Sequence, residues 1–556
     1  MQCSRLIAIV LALISWTWIA TAPAGSQSGE ARVSLVMSKL PPQNSAAYRA
    51  IRKHAGDVTV ELLTLTKTEV WSLSADKADA VKAAANRYGV GVEGLPPDWN
   101  HVFRPMPAHS DMSEAHRNMA AQAESKATMG VGRMLPPRAA VMEYALTRGV
   151  EAQTPPADPP KIVLRLNDAT ALTLVRTSVD IRADMCVWRG TVEGTGAPAT
   201  ILWWPGVTMA GTVRHEGRLY SIRRMRGGVH AMAVVEMSED RMPPEHAPMP
   251  ERMRSRDPSL RDDPLVRQGD AGLLRFFGRP DRSTAQPKAS TADTKQPAAG
   301  PNKAGNSPDT VINVIVAHTA KAAQKYSDVR RELAELSIEE ANQSFHNSNL
   351  GHIKLQLVHT YQTDYVEDGE HFDHLWRFAD KGDGYMDEIH ALRARYDADL
   401  AILVVDDAKG CGLATRVYAD ADEGFAVVHH ECAATTYSVA HEIGHLIGAR
   451  HELEIDKIMT PFPYGHGYVN GTKWRDIMSY KESCGGCRRL PIWSSPKLLI
   501  EGEPAGTANE DNARVIAEQA GRVASFRPSR FKRSHWQIAV PSPSSASTAD
   551  QPAERK

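Results

Sequence analysis

The sequence predicts an α/β domain, a mixed twisted sheet with helices, preceded by a mostly β N-terminal module. In the second half, apolar runs alternate with stretches of helical periodicity, as expected of buried strands joined by crossover helices. In the first half, short β-branched and aromatic runs are separated by Gly and Pro, as expected of antiparallel strands joined by turns. A histidine-rich stretch at 441–451 follows the α/β alternation and carries its chemistry.

The alternation begins with an apolar strand at Val311–Val316, helical periodicity over Ala322–Asn347 and a second strand at Ile353–Val358. Met386–Tyr396 is expected to be helical, and Leu400–Val405, wholly apolar, a buried strand. Phe425–Val428 precedes the histidine-rich helix. Upstream, Ile162–Leu166, Val187–Val192, Thr200–Trp204 and Arg218–Ile222 read as strands of a small antiparallel module. The expected organisation is a leader at 1–24, an N-terminal domain at 25–246, a disordered linker at 247–308, a catalytic domain at 309–528 and a disordered tail at 529–556. The linker and tail are rich in Pro, Ser, Ala and charge and lack periodicity.

At 556 residues the chain is too long for one core. Its 42% hydrophobic and 24% charged content is ordinary for globular protein. A net charge of -1 gives no electrostatic reason to expect a nucleic-acid partner. A basic start at Met1–Arg5, the apolar run Leu6–Ala20 and the small residues of Thr21–Ala24 form a secretory signal. That run is short for a membrane span and no second segment approaches the length, so an exported protein with no stable membrane association is expected.

Export places Cys411, Cys432, Cys484 and Cys487 where they can pair. Cys411 with Cys432, and Cys484 with Cys487 across Gly485–Gly486, are the favoured disulfides. The sequence leaves exchange between the two sets open, and also a redox or metal role for Cys484-Gly-Gly-Cys487.

The run from His441 to His451 reads H-E-x-x-H-x-x-G-x-x-H. Residues four apart share a helix face, so His441 and His445 can present two imidazoles to one metal ion. Gly448 can take a backbone conformation that ends the helix and returns His451 as a third ligand. Three histidines leave one position of a single catalytic Zn2+ open, and Glu442 is placed to take a proton from water held there. Whether structural Ca2+ is also bound does not follow from the sequence.

Asp476-Ile-Met-Ser-Tyr480 follows downstream, and together with the long histidine motif it resembles the metzincin zinc metalloproteases. The resemblance implies a zinc helix, a Met-turn in which Met478 forms a hydrophobic floor, and Tyr480 as hydrogen-bond donor to the oxyanion. Glu452, directly after the third histidine, is similar to astacins rather than reprolysins. The strand preceding the zinc helix, here Phe425–Val428, would be the antiparallel edge on which substrate lies. Trp188 through Tyr220-Ser-Ile222 loosely resembles a reprolysin-type propeptide, which makes the 25–246 domain propeptide-like.

The second half is more specifically similar to the peptidyl-Asp metalloendopeptidases. The similarity rests on Gly410–Ala414, Ala426–Cys432, Phe462–Tyr468, Arg475–Tyr480, Pro491–Pro496 and Asp511–Arg514. It implies a secreted zinc endopeptidase, made as a latent precursor, that cuts polypeptides on the amino side of Asp or Glu. The segment after the methionine contains Lys481, Arg488 and Arg489, candidates to hold the substrate carboxylate, with Lys473 and Arg475 as weaker alternatives. The expected linker carries Asp257, Asp262, Asp270, Asp281, Asp293 and, at its end, Asp309 as sites for self-processing. Cys186, unpaired, is a candidate thiolate ligand for latency. The alternative is a broad-specificity metzincin carrying an N-terminal binding or adhesion module.

Overall fold

The computed structural model describes residues 31–105, 128–150, 158–167, 169–225, 232–245, 310–369 and 371–527. The expected signal at 1–24, linker at 247–308 and tail at 529–556 lie outside them, as do the aspartates proposed for self-processing. The chain forms two compact units that divide between Pro96 and Pro97. That boundary falls inside the single N-terminal domain expected at 25–246.

The first unit is α/β rather than mostly β. Strands β1 (Arg32–Ser38), β2 (Val58–Leu63), β3 (Thr68–Ser74) and β4 (Gly91–Gly94) form a sheet in the order β2-β3-β1-β4. Helices α1 (Ala46–Arg52) and α2 (Ala78–Asn86) pack on it through Tyr48, Ile51, Val81 and Ala85 around the buried Trp71.

The second unit opens with a sheet of β5 (Arg104–Pro105), β6 (Thr128–Leu135), β7 (Lys161–Arg165), β8 (Ala171–Ile181), β9 (Cys186–Val192), β10 (Pro198–Trp204), β11 (Thr208–His215), β12 (Arg218–Arg224) and β13 (Met232–Ser238). The order is β5-β6-β13-β12-β11-β10-β9-β8-β7. From β7 to β13 it is an antiparallel meander in which consecutive strands pair, with Gly in the turns between β9 and β10, β10 and β11, and β11 and β12. Helix α3 (Ala139–Thr147) follows β6.

The α/β part begins at β14 (Thr310–His318). The helix expected over Ala322–Asn347 is interrupted: one turn at Ala320–Ala323 ends before a π-helical turn at Arg330–Glu335 that runs into α4 (Leu336–Asn347). Then come β15 (Ile353–Gln362), α5 (His371–Ala379), α6 (Glu388–Arg395), β16 (Leu400–Val405), β17 (Gly412–Ala414) and β18 (Phe425–His429). The sheet order is β15-β14-β16-β18-β17. Strand β18 pairs parallel with β16 and is interior, whereas the antiparallel edge is the short β17. The expectation that Phe425–Val428 forms the edge is therefore corrected: its wholly buried residues face cores on both sides. Helix α7 (Ser438–Ile447) crosses beneath this sheet and packs Val439, Ala440, Ile443, Leu446 and Ile447 into its larger core. That spacing is the apolar face of a helix, each large residue contributing about 1.5–3 kcal/mol by burial. Among the described residues no helix is long and apolar enough to cross a membrane.

Candidate active site

Helix α7 turns its other face upward with His441 and His445 one turn apart. It stops at Gly448, whose φ of +136° and N–H bond to the Gly444 carbonyl end the helix. A Cβ on Gly448 would stand 2.9 Å from Phe462 Cε2, so glycine is required for space as well as conformation. The chain then returns His451 to the same point. Nε2 of His451 lies 2.9 Å from that of His445 and 3.2 Å from that of His441, and the latter two are 3.1 Å apart.

Three nitrogens so close fit a common cation. Tetrahedral zinc with bonds of 2.0–2.1 Å separates its nitrogen ligands by roughly 3.3 Å. The tautomers agree. His441 Nδ1 donates to the Ile477 carbonyl and His445 Nδ1 to the Ala449 carbonyl, each at 2.9 Å. Each bond places the proton on Nδ1 and leaves the Nε2 lone pair facing inward. His441, His445 and His451 are all buried and form a group suited to one metal ion, and Cys186 is not among them.

Glu442 is fully buried beside His441, and its carboxylate fits under Gly412 of the edge strand. Met478 is fully buried in the core beneath α7, where Gly444 admits its sulfur and the ring of Trp493. Tyr480 OH lies 2.8 Å from His451 Nε2, with the two rings 4.3 Å apart. Asp476 shapes this turn, accepting from Ser479 Oγ at 2.6 Å and Ser494 N at 3.1 Å. Burial pushes the Asp476 carboxyl up to about 6, against the pull of those donors. Burial likewise pushes Glu452 up to about 8, although the Tyr480 N–H and Ser483 Oγ hydrogen-bond to it.

The basic residues after Met478 separate. Arg489 is 3% exposed and, with Arg475 at 2%, converges on the Glu245 carboxylate at 2.8 Å from each guanidinium. Arg488 points the other way, half exposed and paired with Glu501 at 2.9 Å, and does not join Arg475 and Arg489 at Glu245. Lys481 contributes its backbone N–H, at 3.1 Å from Glu245 Oε2, while its ammonium lies 4.0 Å from Asp240. Lys473 is exposed and pairs with Glu503. Gly412 lies in a run that the family similarity marks but has no side chain to name as a site residue, and Glu245 is far in sequence from the histidine motif, so only the fold brings the two to the site.

Cys186 is corrected as a latency ligand. It is fully buried in β9, in register with Trp203 of β10 and Ile181 of β8, and burial pushes its thiol up to about 12. A neutral thiol inside a sheet does not reach a metal. The favoured disulfides, Cys411 with Cys432 and Cys484 with Cys487, are both present.

Residues 309–491 match the model of a family described as metallo-peptidase family M12. The chain is 35% identical over 375 residues to the "Peptidyl-Asp metalloendopeptidase" of Xanthomonas campestris pv. campestris, covering 65% of this chain and 80% of that one. It is 34% identical over 334 residues to the protein of the same name from Stenotrophomonas maltophilia strain R551-3, covering 59% of this chain and 70% of that one. With the three-histidine cluster carried by a mixed sheet and its helices, these matches make the chain a zinc metalloendopeptidase acting on polypeptides, and it belongs to the peptidyl-Asp metalloendopeptidase family.

Proposed function

We propose that this chain is a secreted, zinc-dependent endopeptidase that cuts on the amino side of Asp or Glu and is made as a latent precursor. The observation that carries the chemistry is the convergence of the His441, His445 and His451 Nε2 atoms within 3.2 Å of one another, with Glu442 adjoining. These histidines would hold the zinc, which when bound lowers the pKa of a coordinated water and polarises the substrate carbonyl. Glu442, desolvated under Gly412, receives the proton of the attacking water and delivers it to the leaving nitrogen. Tyr480 donates its hydroxyl to the oxygen on which charge develops, and Met478 supports the histidines from below as the Met-turn.

The acidic preference is supported by two buried guanidiniums, Arg475 and Arg489, directly behind the turn that ends in Tyr480. A planar pair of donors discriminates a carboxylate from a neutral side chain. Precursor status is favoured over a tethered binding module by the contacts of the meander sheet with the α/β part. Arg182 and Arg189 both reach the buried Glu339 at 2.8 Å, and Arg214 pairs with Glu239 while stacking on Tyr437.

Digestion of a denatured protein library by the purified enzyme, with and without a zinc chelator, tests this reading through the new amino termini. Chelator-sensitive termini beginning with Asp or Glu are expected. Chelator-sensitive cuts without acidic bias would discard the specificity, and chelator-resistant cuts the metal chemistry.

A further inference from the structure

The described N-terminal chain reaches Glu245 against the residues that surround the histidine cluster. The Pro244 carbonyl accepts the Cys411 N–H at 2.7 Å. Cys411 leads into the edge strand β17, and its own carbonyl accepts from His429 of the neighbouring β18. One residue on from Pro244, Glu245 Oε1 meets Arg475 and Arg489 at 2.8 Å each, and Oε2 accepts the Lys481 N–H at 3.1 Å. Gly412, next to Cys411, covers Glu442; Tyr480, next to Lys481, touches His451. The Pro244–Glu245 peptide is thus anchored on residues that flank the two sides of the histidine cluster.

The energetics favour an acid at this point. Arg475 and Arg489 stand opposite each other on the short parallel pair β19 (Trp474–Arg475) and β20 (Arg488–Arg489). Among the described residues both form their ion pairs with Glu245. Two buried like charges are costly without an anion between them. Met242, buried against Cys411 and Cys432, holds the segment from the other end.

We infer that Met242–Glu245 is an internal substrate mimic, with Glu245 seated in the receptor that Arg475 and Arg489 form for the acidic residue following the cut bond. This rests on the acidic specificity proposed above. It adds that latency is a competition for one pocket, and it makes Arg475 and Arg489, not Arg488, the residues that set specificity.

The test uses the full chain carrying Glu442→Ala, which leaves the precursor intact. Binding of a fluorescein-labelled peptide containing one aspartate is read by anisotropy, beside the same peptide with asparagine. Adding Glu245→Ala or Glu245→Gln is expected to tighten aspartate-peptide binding at least tenfold, with little change for asparagine and with Glu245→Asp restoring the block. Equal aspartate-peptide affinity with and without Glu245, in variants of unchanged melting temperature and zinc content, would overturn the mimic while leaving a measured aspartate preference standing. Equal gains for both peptides would overturn the acidic pocket itself.

Discussion

Gly412 and Glu442 share one volume: a Cβ on Gly412 would stand 2.3 Å from Glu442 Oε1 and 2.9 Å from its Cδ. The edge strand thus fixes the carboxylate by lacking a side chain. Gly412→Ala is expected to lower kcat/KM about 100-fold, the scale of a displacement of about 1 Å in a reacting group. Zinc content should stay unchanged. Wild-type turnover in this variant would show that the carboxylate tolerates the shift.

Gly448 combines a positive φ with the Phe462 ring. Gly448→Ala is expected to cost about 1–3 kcal/mol from backbone strain and to lower zinc occupancy by moving His451. Denaturant titration and metal analysis read the two effects separately.

The Cys411–Cys432 disulfide joins the entry of the edge strand to the helical turn before α7, closing a separation of 21 residues. Replacing both cysteines by Ala is expected to cost about 3 kcal/mol, the typical value for loops of that size. Urea unfolding of the double variant measures it, and a loss below about 1 kcal/mol would count against the cross-link as a stabiliser.

Cys186 should be inert in the native chain. With its thiol pushed up to about 12 by burial, iodoacetamide at pH 8 is expected to leave it unmodified until the protein is denatured. Native labelling, read by peptide mass, would place the sulfur at a surface.

Asp407 Oδ2 lies 3.4 Å from His374 Nε2 and 3.7 Å from His371 Nδ1. Burial alone would raise its carboxyl, but the two imidazoles beside it hold it well below the usual range of about 3.8. A depressed acid contributes stability above its unfolded value and loses it as pH falls through the folded one. Asp407→Asn should therefore destabilise most at neutral pH, with the difference from wild type shrinking on acidification below pH about 4. Denaturation at both pH values checks the sign.

The histidine cluster was legible in the sequence because ligand spacing on a helix is fixed by geometry, and the buried strands because apolar runs have no other place. Edge position was not legible. Phe425–Val428 and Leu400–Val405 are equally apolar, and only the sheet order makes the three-residue Gly412–Ala414 the edge. The choice between Arg488 and Arg489 was closed for a related reason. Neighbours on a strand face opposite sides, and without the register of β20 against β19 either could point inward. The Pro96/Pro97 boundary left no composition change to read.

The paired prolines at 243 and 244 have a consequence for the sheet edge. An open sheet edge is a template on which other chains stack, and strand growth needs N–H donors on the outer side. Pro243 and Pro244 have none, so where they meet Cys411 at the entry of β17 they offer a further strand no donors.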